Sequence, residues 1–426
     1  MKQTGRINLV LLLLLLLPGV AFAQRDTRET REASKYIGLA MTKQQPAERA
    51  DMYRQAMEHL RQGMASDAEN AKVWLLAGTA LAALGEMEEA DQAFNRAEQL
   101  NPEYAAEIQG ERETAWVEAF NRGIQLMDEQ SYPEAIEALE AAQAIYTGRP
   151  EALMNLGALY ANSGEALKAE QALLQAIDAT NGPLFEQLTE EQQAEWVRFR
   201  TLATANIAQI QAQQGIESFQ AEEFDSAAAR FRRAAETNPQ ARDYWFNYGQ
   251  ALWAMTSTLE ESLEAATQAA DSARIIEELG GLYAEVQTVA RKSREFDPNN
   301  EVVYLMEART HRMAGEWGDE AARNAGQQAA LRLLEEHAAL TVILDQVGAI
   351  SDGEGNVTIR GTLKNVKAAE GSTVTLRFTL LDTEGATIGT HDVAVTAPAP
   401  DQTVEFESTT TSEGEVAGWK YVVVAA

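Results

Sequence analysis

The chain has no cysteine. That excludes disulfides, thiol catalysis, thiolate-bound zinc and a lipid anchor on an N-terminal cysteine. Histidine is scarce. His59, His311, His337 and His391 stand far apart, and no two have the close helical spacing of a metal site. Proline is also scarce, 10 in 426 residues, while 45% of residues are hydrophobic, so most of the chain is expected to fold. Positive charge is in short supply: 35 Lys and Arg face 65 Asp and Glu, a net charge of −30. Such a surface repels nucleic acid and anionic lipid and favours basic partners or divalent cations; the blander explanation is solubility.

The motifs of common chemistry are missing as well. No glycine-rich loop ends in Lys-Ser/Thr, no Gly-x-Ser-x-Gly elbow occurs, and no His-Glu-x-x-His helix is present. Asp352-x-Glu354-x-Asn356 alternates oxygen ligands but lacks the downstream glutamate of a calcium loop, so it reads as a hairpin turn. Sixty-five acidic residues give no pair that stands out for acid–base work, and glutamates such as Glu88 and Glu89 suit helix starts. No catalytic residue, metal or cofactor is expected.

What is present is a repeat. In Ala71 to Tyr104, Trp74, Gly78, Leu81, Gly85, Ala90, Phe94, Ala97 and Pro102 occupy the positions of a helical hairpin. The bulky residue anchors the first helix, the small ones allow close approach, Gly85 turns the chain and Pro102 stops the second helix. The spacing recurs at Gly123, Leu126, Ala135, Leu139 and Ala142, then at Gly157, Tyr160, Gly164, Ala169, Leu173 and Ala176. A fourth copy holds Gly215, Phe224, Ala227, Phe231 and Ala234, and a fifth starts at Trp245, Tyr248, Gly249 and Leu252. A degenerate sixth has Tyr304, Ala308, Gly315, Trp317 and Ala321. The period is about 34 residues. Residues 30–339 resemble the tetratricopeptide repeat (TPR) family, which implies stacked hairpins, since one alone cannot bury its apolar face.

Around the repeats, Tyr36 to Met41 and Met52 to Met64 predict a helix pair broken near Pro46 that caps the stack, preceded by a frayed, charged segment, residues 24–34. Thr189 to Gln192 is a capping box opening another helix. An insertion near 256–289, rich in Glu and Ala, lengthens the fifth repeat. Residues 1–23 read as a secretory signal peptide: Lys2 and Arg6 precede the apolar Leu9 to Leu17, and Ala21-Phe22-Ala23 gives the cleavage pattern. The expectation is an exported protein, periplasmic or extracellular, with no stable membrane insertion after cleavage.

Near Leu340 the period changes to alternation. Val357, Ile359, Gly361 and Leu363 share one face, as do Val374, Leu376, Phe378 and Leu380. Six or seven short strands in 340–426 predict a small β-sandwich. Gly361 to Asn365, Phe378 to Gly385 (with Leu381 in place of the usual Tyr) and Phe406 resemble the FxLYD-like, immunoglobulin-like domains of exported bacterial proteins. That resemblance implies a fold and carries no catalytic machinery.

The expected architecture is therefore multidomain and mainly α: a TPR-like α-solenoid over 24–339 followed by the β-sandwich. The TPR resemblance implies that the first helices line a protein-binding groove. Its inward residues, at the second, fifth, ninth, twelfth and thirteenth positions of a repeat, include Leu75, Thr79, Phe120, Ile124, Met127, Met154, Asn162, Phe219, Phe246, Gln250, Trp253, Arg309 and Arg312. The Lys and Asn pairs of the family's carboxylate clamp are absent from these positions. The expected function is a non-enzymatic scaffold or adaptor binding proteins of the cell envelope. Two other classes stay open: a carbohydrate- or cation-binding surface module with the solenoid as stalk, and an enzyme with its site in the insertion.

Overall fold

The computed structural model describes residues 26–352 and 355–425; the expected signal peptide lies outside the described residues. The chain divides into two compact units, Met1–Trp196 and Val197–Ala426.

The first unit stacks antiparallel hairpins: α1 (Arg28–Met41) with α2 (Pro46–Ser66), α3 (Ala71–Leu84) with α4 (Met87–Leu100), α5 (Ala105–Asp128) with α6 (Tyr132–Ile145), and α7 (Glu151–Asn162) with α8 (Ala166–Thr180). Local chemistry sets the ends. Asn70 caps α3 by accepting from the Lys72 N–H at 3.2 Å, and Gly85 ends it at φ 83°, a conformation that costs a glycine little. Pro46 opens α2, where its missing N–H is harmless. Residues 28–34 are helical rather than frayed. Thr27 caps α1, and Thr30 and Ala33 are buried with Ile37 and Ala40, so the charged sequence still presents an apolar stripe.

One contact recurs through the repeats. Gly78 faces Phe94, Gly123 faces Leu139, Gly157 faces Leu173 and Gly215 faces Phe231, each sixteen residues on. A Cβ at these glycines would sit 2.4–2.7 Å from the bulky side chain. Each hairpin thus closes by seating a large residue of its second helix on a gap in its first. Ala90 and Ala97 are fully buried at the same crossing.

The helix α9 (Glu190–Gln220) opens with the expected capping box. The Thr189 N–H donates to Gln192 Oε1 at 3.0 Å, and the Gln192 N–H returns to Thr189 Oγ1 at 3.3 Å. The second unit continues with α10 (Phe224–Thr237), α11 (Arg242–Ala265), α12 (Ala269–Phe296), α13 (Glu301–Glu316) and α14 (Glu320–Ala339). The insertion lengthens α11 and α12, whose far ends bury Ile275, Leu279 and Tyr283 against Leu259 and Leu263. Gly249 accordingly meets Val289 and Met306 at ordinary contact distance, 3.4–3.5 Å.

The strands are β1 (Val342–Ser351), β2 (Asn356–Asn365), β3 (Thr373–Leu381), β4 (Thr387–Thr396), β5 (Thr403–Thr411) and β6 (Gly418–Ala425). They form two antiparallel sheets, β1-β2-β5 and β4-β3-β6. Val357, Ile359, Leu363, Val374, Leu376, Phe378 and Leu380 are all fully buried between them, as alternation requires. Gly361 pairs with Phe406 and leaves room for its ring.

Polar groups join β6 to the helices of this unit. The Arg242 guanidinium reaches Asp297 from Nε at 3.0 Å, and the Tyr421 hydroxyl donates to the other Asp297 oxygen at 2.5 Å. Asn299 donates from Nδ2 to the Val342 carbonyl at 2.8 Å and accepts the Leu344 N–H at 3.1 Å. Asp297, Asn299 and Tyr421 are buried, so each bond forms where water cannot replace it.

Candidate functional site

The first unit contains a cleft of about 570 Å³ between α1, α2, α3 and α5. On α3, Thr79, Ala82 and Ala83 step by three and one along one face, while Gly78 and Leu81 turn to the hairpin core. These small side chains leave room in the cleft above them. Tyr53, Ala50 and Arg49 of α2 form one wall. The other wall is a stripe of α5 at i, i+3, i+4 and i+7: Glu111, Thr114, Ala115 and Glu118.

The walls carry unlike charge. Arg49 lies on α2, and Glu111 and Glu118 lie on α5. Burial pushes the Glu111 carboxyl above its ordinary range, opposed by a hydrogen bond from Thr79. Burial also makes the Tyr53 phenol harder to ionise, with Glu118 adding to the effect. Among the described residues neither Glu111 nor Glu118 forms an ion pair. The cleft can therefore take a side chain with an apolar stem and a polar or cationic end.

A second cavity, about 410 Å³, lies in the second unit between the α9–α10 turn, α11 and α12. Phe224, Met255 and Leu259 wall it, and Glu222, Glu223, Asp225 and Glu278 rim it.

The residues expected in the groove have other surroundings. Leu75 is buried in the first unit, and Phe120 stacks on Trp116 with ring centres 4.8 Å apart. Ile124, Met127 and Met154 are half-buried and Asn162 is exposed. In the second unit Phe219 and Trp253 pack against the core around Phe231 and Tyr248. Phe246 lies 5.0 Å from the Arg242 guanidinium, and Gln250 is half-buried. Arg309 stacks over Trp253 at 4.8 Å and pairs with Glu260 at 2.7 Å; Arg312 pairs with Glu316 at 3.5 Å. Of the residues named as inward from the sequence, Thr79 alone lines the first-unit cleft. Tyr53 lies on α2, in the helix pair expected to cap the stack, where the repeat pattern marks no inward position. Glu111 precedes the repeat of Gly123 and Leu139, which runs from Trp116, and its signal in the sequence is the i, i+3, i+4, i+7 stripe with Thr114, Ala115 and Glu118.

Two family models, both described as tetratricopeptide repeat, match the chain. One covers residues 120–183 and 213–274, the other residues 71–104. These segments are tetratricopeptide repeats. No curated protein matches the chain. Among solved structures, that of MamA is 13% identical, covering 52% of this chain and 91% of its own, with a TM-score of 0.26. YrrB, described as a TPR protein with an unusual peptide-binding site, is 16% identical, covering 50% of this chain and 96% of its own, with a TM-score of 0.21. A tetratricopeptide repeat protein from Parabacteroides merdae is 13% identical, covering 72% of this chain and 99% of its own, with a TM-score of 0.19.

In the repeat frame set by Trp74 and Gly78, Thr79, Ala82 and Ala83 are the ninth, twelfth and thirteenth positions. The first-unit cleft therefore opens on inward positions of a tetratricopeptide repeat. Repeats of this kind mediate protein–protein interaction.

Proposed function

We propose that this chain is an exported, non-enzymatic adaptor that holds proteins of the cell envelope through its tetratricopeptide repeats. The first-unit cleft is the contact site. The observation that carries this reading is the exposure of Ala83 beside Thr79 and Tyr53, on a face that hairpin packing leaves uncovered. A peptide side chain placed there loses water from its stem without displacing any core residue. The sandwich, in this reading an FxLYD-like domain, packs on the helices of the second unit through Tyr421 and Asn299. Export rests on the pattern of residues 1–23.

A photo-crosslinking side chain at Ala83 tests the contact in cells. Adducts to one or a few envelope proteins, absent with the same group at exposed Leu167, are the expected result. Equal adducts from both positions would contradict it. N-terminal sequencing of the native protein tests export: a chain starting at Gln24 in the envelope fraction is expected, and an intact Met1 in the cytoplasm contradicts it.

A further inference from the structure

The partner chemistry can be narrowed, and this step rests on the groove reading above. We infer that the first-unit cleft selects an extended, cationic peptide segment, seating a lysine or arginine against Glu111 and Glu118 with its stem on Tyr53 and Ala83.

The argument starts from the geometry of the walls. Glu111 and Glu118 stand seven residues apart on α5, two turns on one face, so both flank the same length of cleft. Thr114 and Ala115, the residues of this stripe between them, are small and uncharged. Neither is paired with a cation among the described residues, unlike Glu260, Glu113 and Glu69, which hold arginines. Tyr53 and the alanines offer the apolar surface along which a lysine or arginine stem lies while its head reaches a carboxylate. Arg49 at the opposite wall fixes polarity. It repels a second cation placed there and attracts an acidic or carbonyl group of the same segment. An acidic peptide would meet two like charges with one cation to offset them, and the chain's net charge of −30 opposes its approach. Burial holds the Glu111 carboxyl partly desolvated before any partner arrives. Less water then has to be removed on binding, so a cation gains more from this carboxylate than from one in open solvent.

The test uses the full mature chain and short fluorescent peptides of alternating leucine and lysine, with glutamine and glutamate counterparts, read by anisotropy. The lysine peptide should bind at least about tenfold tighter than the other two, as expected for a hydrogen bond to a charged group. Glu111→Gln with Glu118→Gln should remove that preference. Ala83→Trp, which fills the cleft, should abolish binding of the lysine peptide, with unchanged far-UV dichroism showing that the fold persists. Binding lost in Ala83→Trp but unchanged in the double variant would overturn the charge assignment and leave the groove standing. Lysine-peptide binding that survives both changes would place it on the acidic surface at large and overturn the groove reading too. Failure of the lysine peptide to bind at all would overturn the proposal.

Discussion

The Tyr421 hydroxyl donates to the Asp297 carboxylate at 2.5 Å, joining residues 124 positions apart in the chain. The same oxygen accepts the Asn299 N–H at 3.2 Å, and Asp297 is further held by Arg242 and by Asn300 Nδ2 at 3.0 Å. Burial, reinforced by the Asp297 charge, keeps this phenol neutral far above its ordinary range. Strand β6 and the end of α12 therefore share one polar network, and the last strand of the chain is part of the packing of the second unit's helices.

Tyr421→Phe should cost about 1–3 kcal/mol, because it leaves a buried carboxylate oxygen and a buried N–H short of a partner. Urea unfolding followed at helix and strand wavelengths should shift to lower midpoint at both. A shift confined to the strand signal would mean that the network does not couple them.

Gly78→Ala and Gly157→Ala should each destabilise the chain by about 1–3 kcal/mol through overpacking against Phe94 and Leu173. Gly110, in the interior of α5, has nothing within 4 Å of an added Cβ, so Gly110→Ala should stabilise by roughly 0.5–1 kcal/mol. Thermal melts of the three variants check the opposite signs.

Gly418→Ala should loosen β6 from the α10–α11 turn. An added Cβ would lie 1.9 Å from the Gln240 carbonyl oxygen, and the bond from Asn238 Nδ2 to the Ala417 carbonyl, now 2.8 Å, would have to open. Faster amide exchange in β6 and at residues 297–300, with β2 unchanged, is the expected pattern.

Glu111→Gln should raise stability at neutral pH while weakening capture of cationic peptides. The folded-state carboxyl titrates above its ordinary value of 4.5 because burial disfavours the charge. Its stabilising, neutral form is fully present below that value and is lost as pH rises through the folded one. The variant should therefore melt above wild type near neutral pH and converge with it in acid, which scanning calorimetry across pH would record.

Much of this was legible in the sequence because it is local or periodic. The sixteen-residue step from Gly157 to Leu173, the Thr189–Gln192 box and the alternation from Val374 to Leu380 each lie within one hairpin or strand. What was hidden depends on distant partners. Nothing near Asp297 points to Tyr421, and nothing near Arg309 announces its pairing with Glu260. Arg28 to Ser34 read as frayed because charge outnumbers apolar residues there, yet burial of Thr30 and Ala33 is enough to fix the helix. The cleft is hidden because all of its wall residues but Glu118 lie outside the repeat frame, while its small floor residues resemble packing positions.

Hydrogen exchange of the full chain, with and without the leucine–lysine peptide, tests the central claim most directly. The account predicts slowed exchange confined to α2 around Tyr53, to α3 over residues 79–83 and to α5 over residues 111–118. Protection appearing instead around Phe224 and Met255, or in the strands, would contradict the assignment of the first-unit cleft as the binding site.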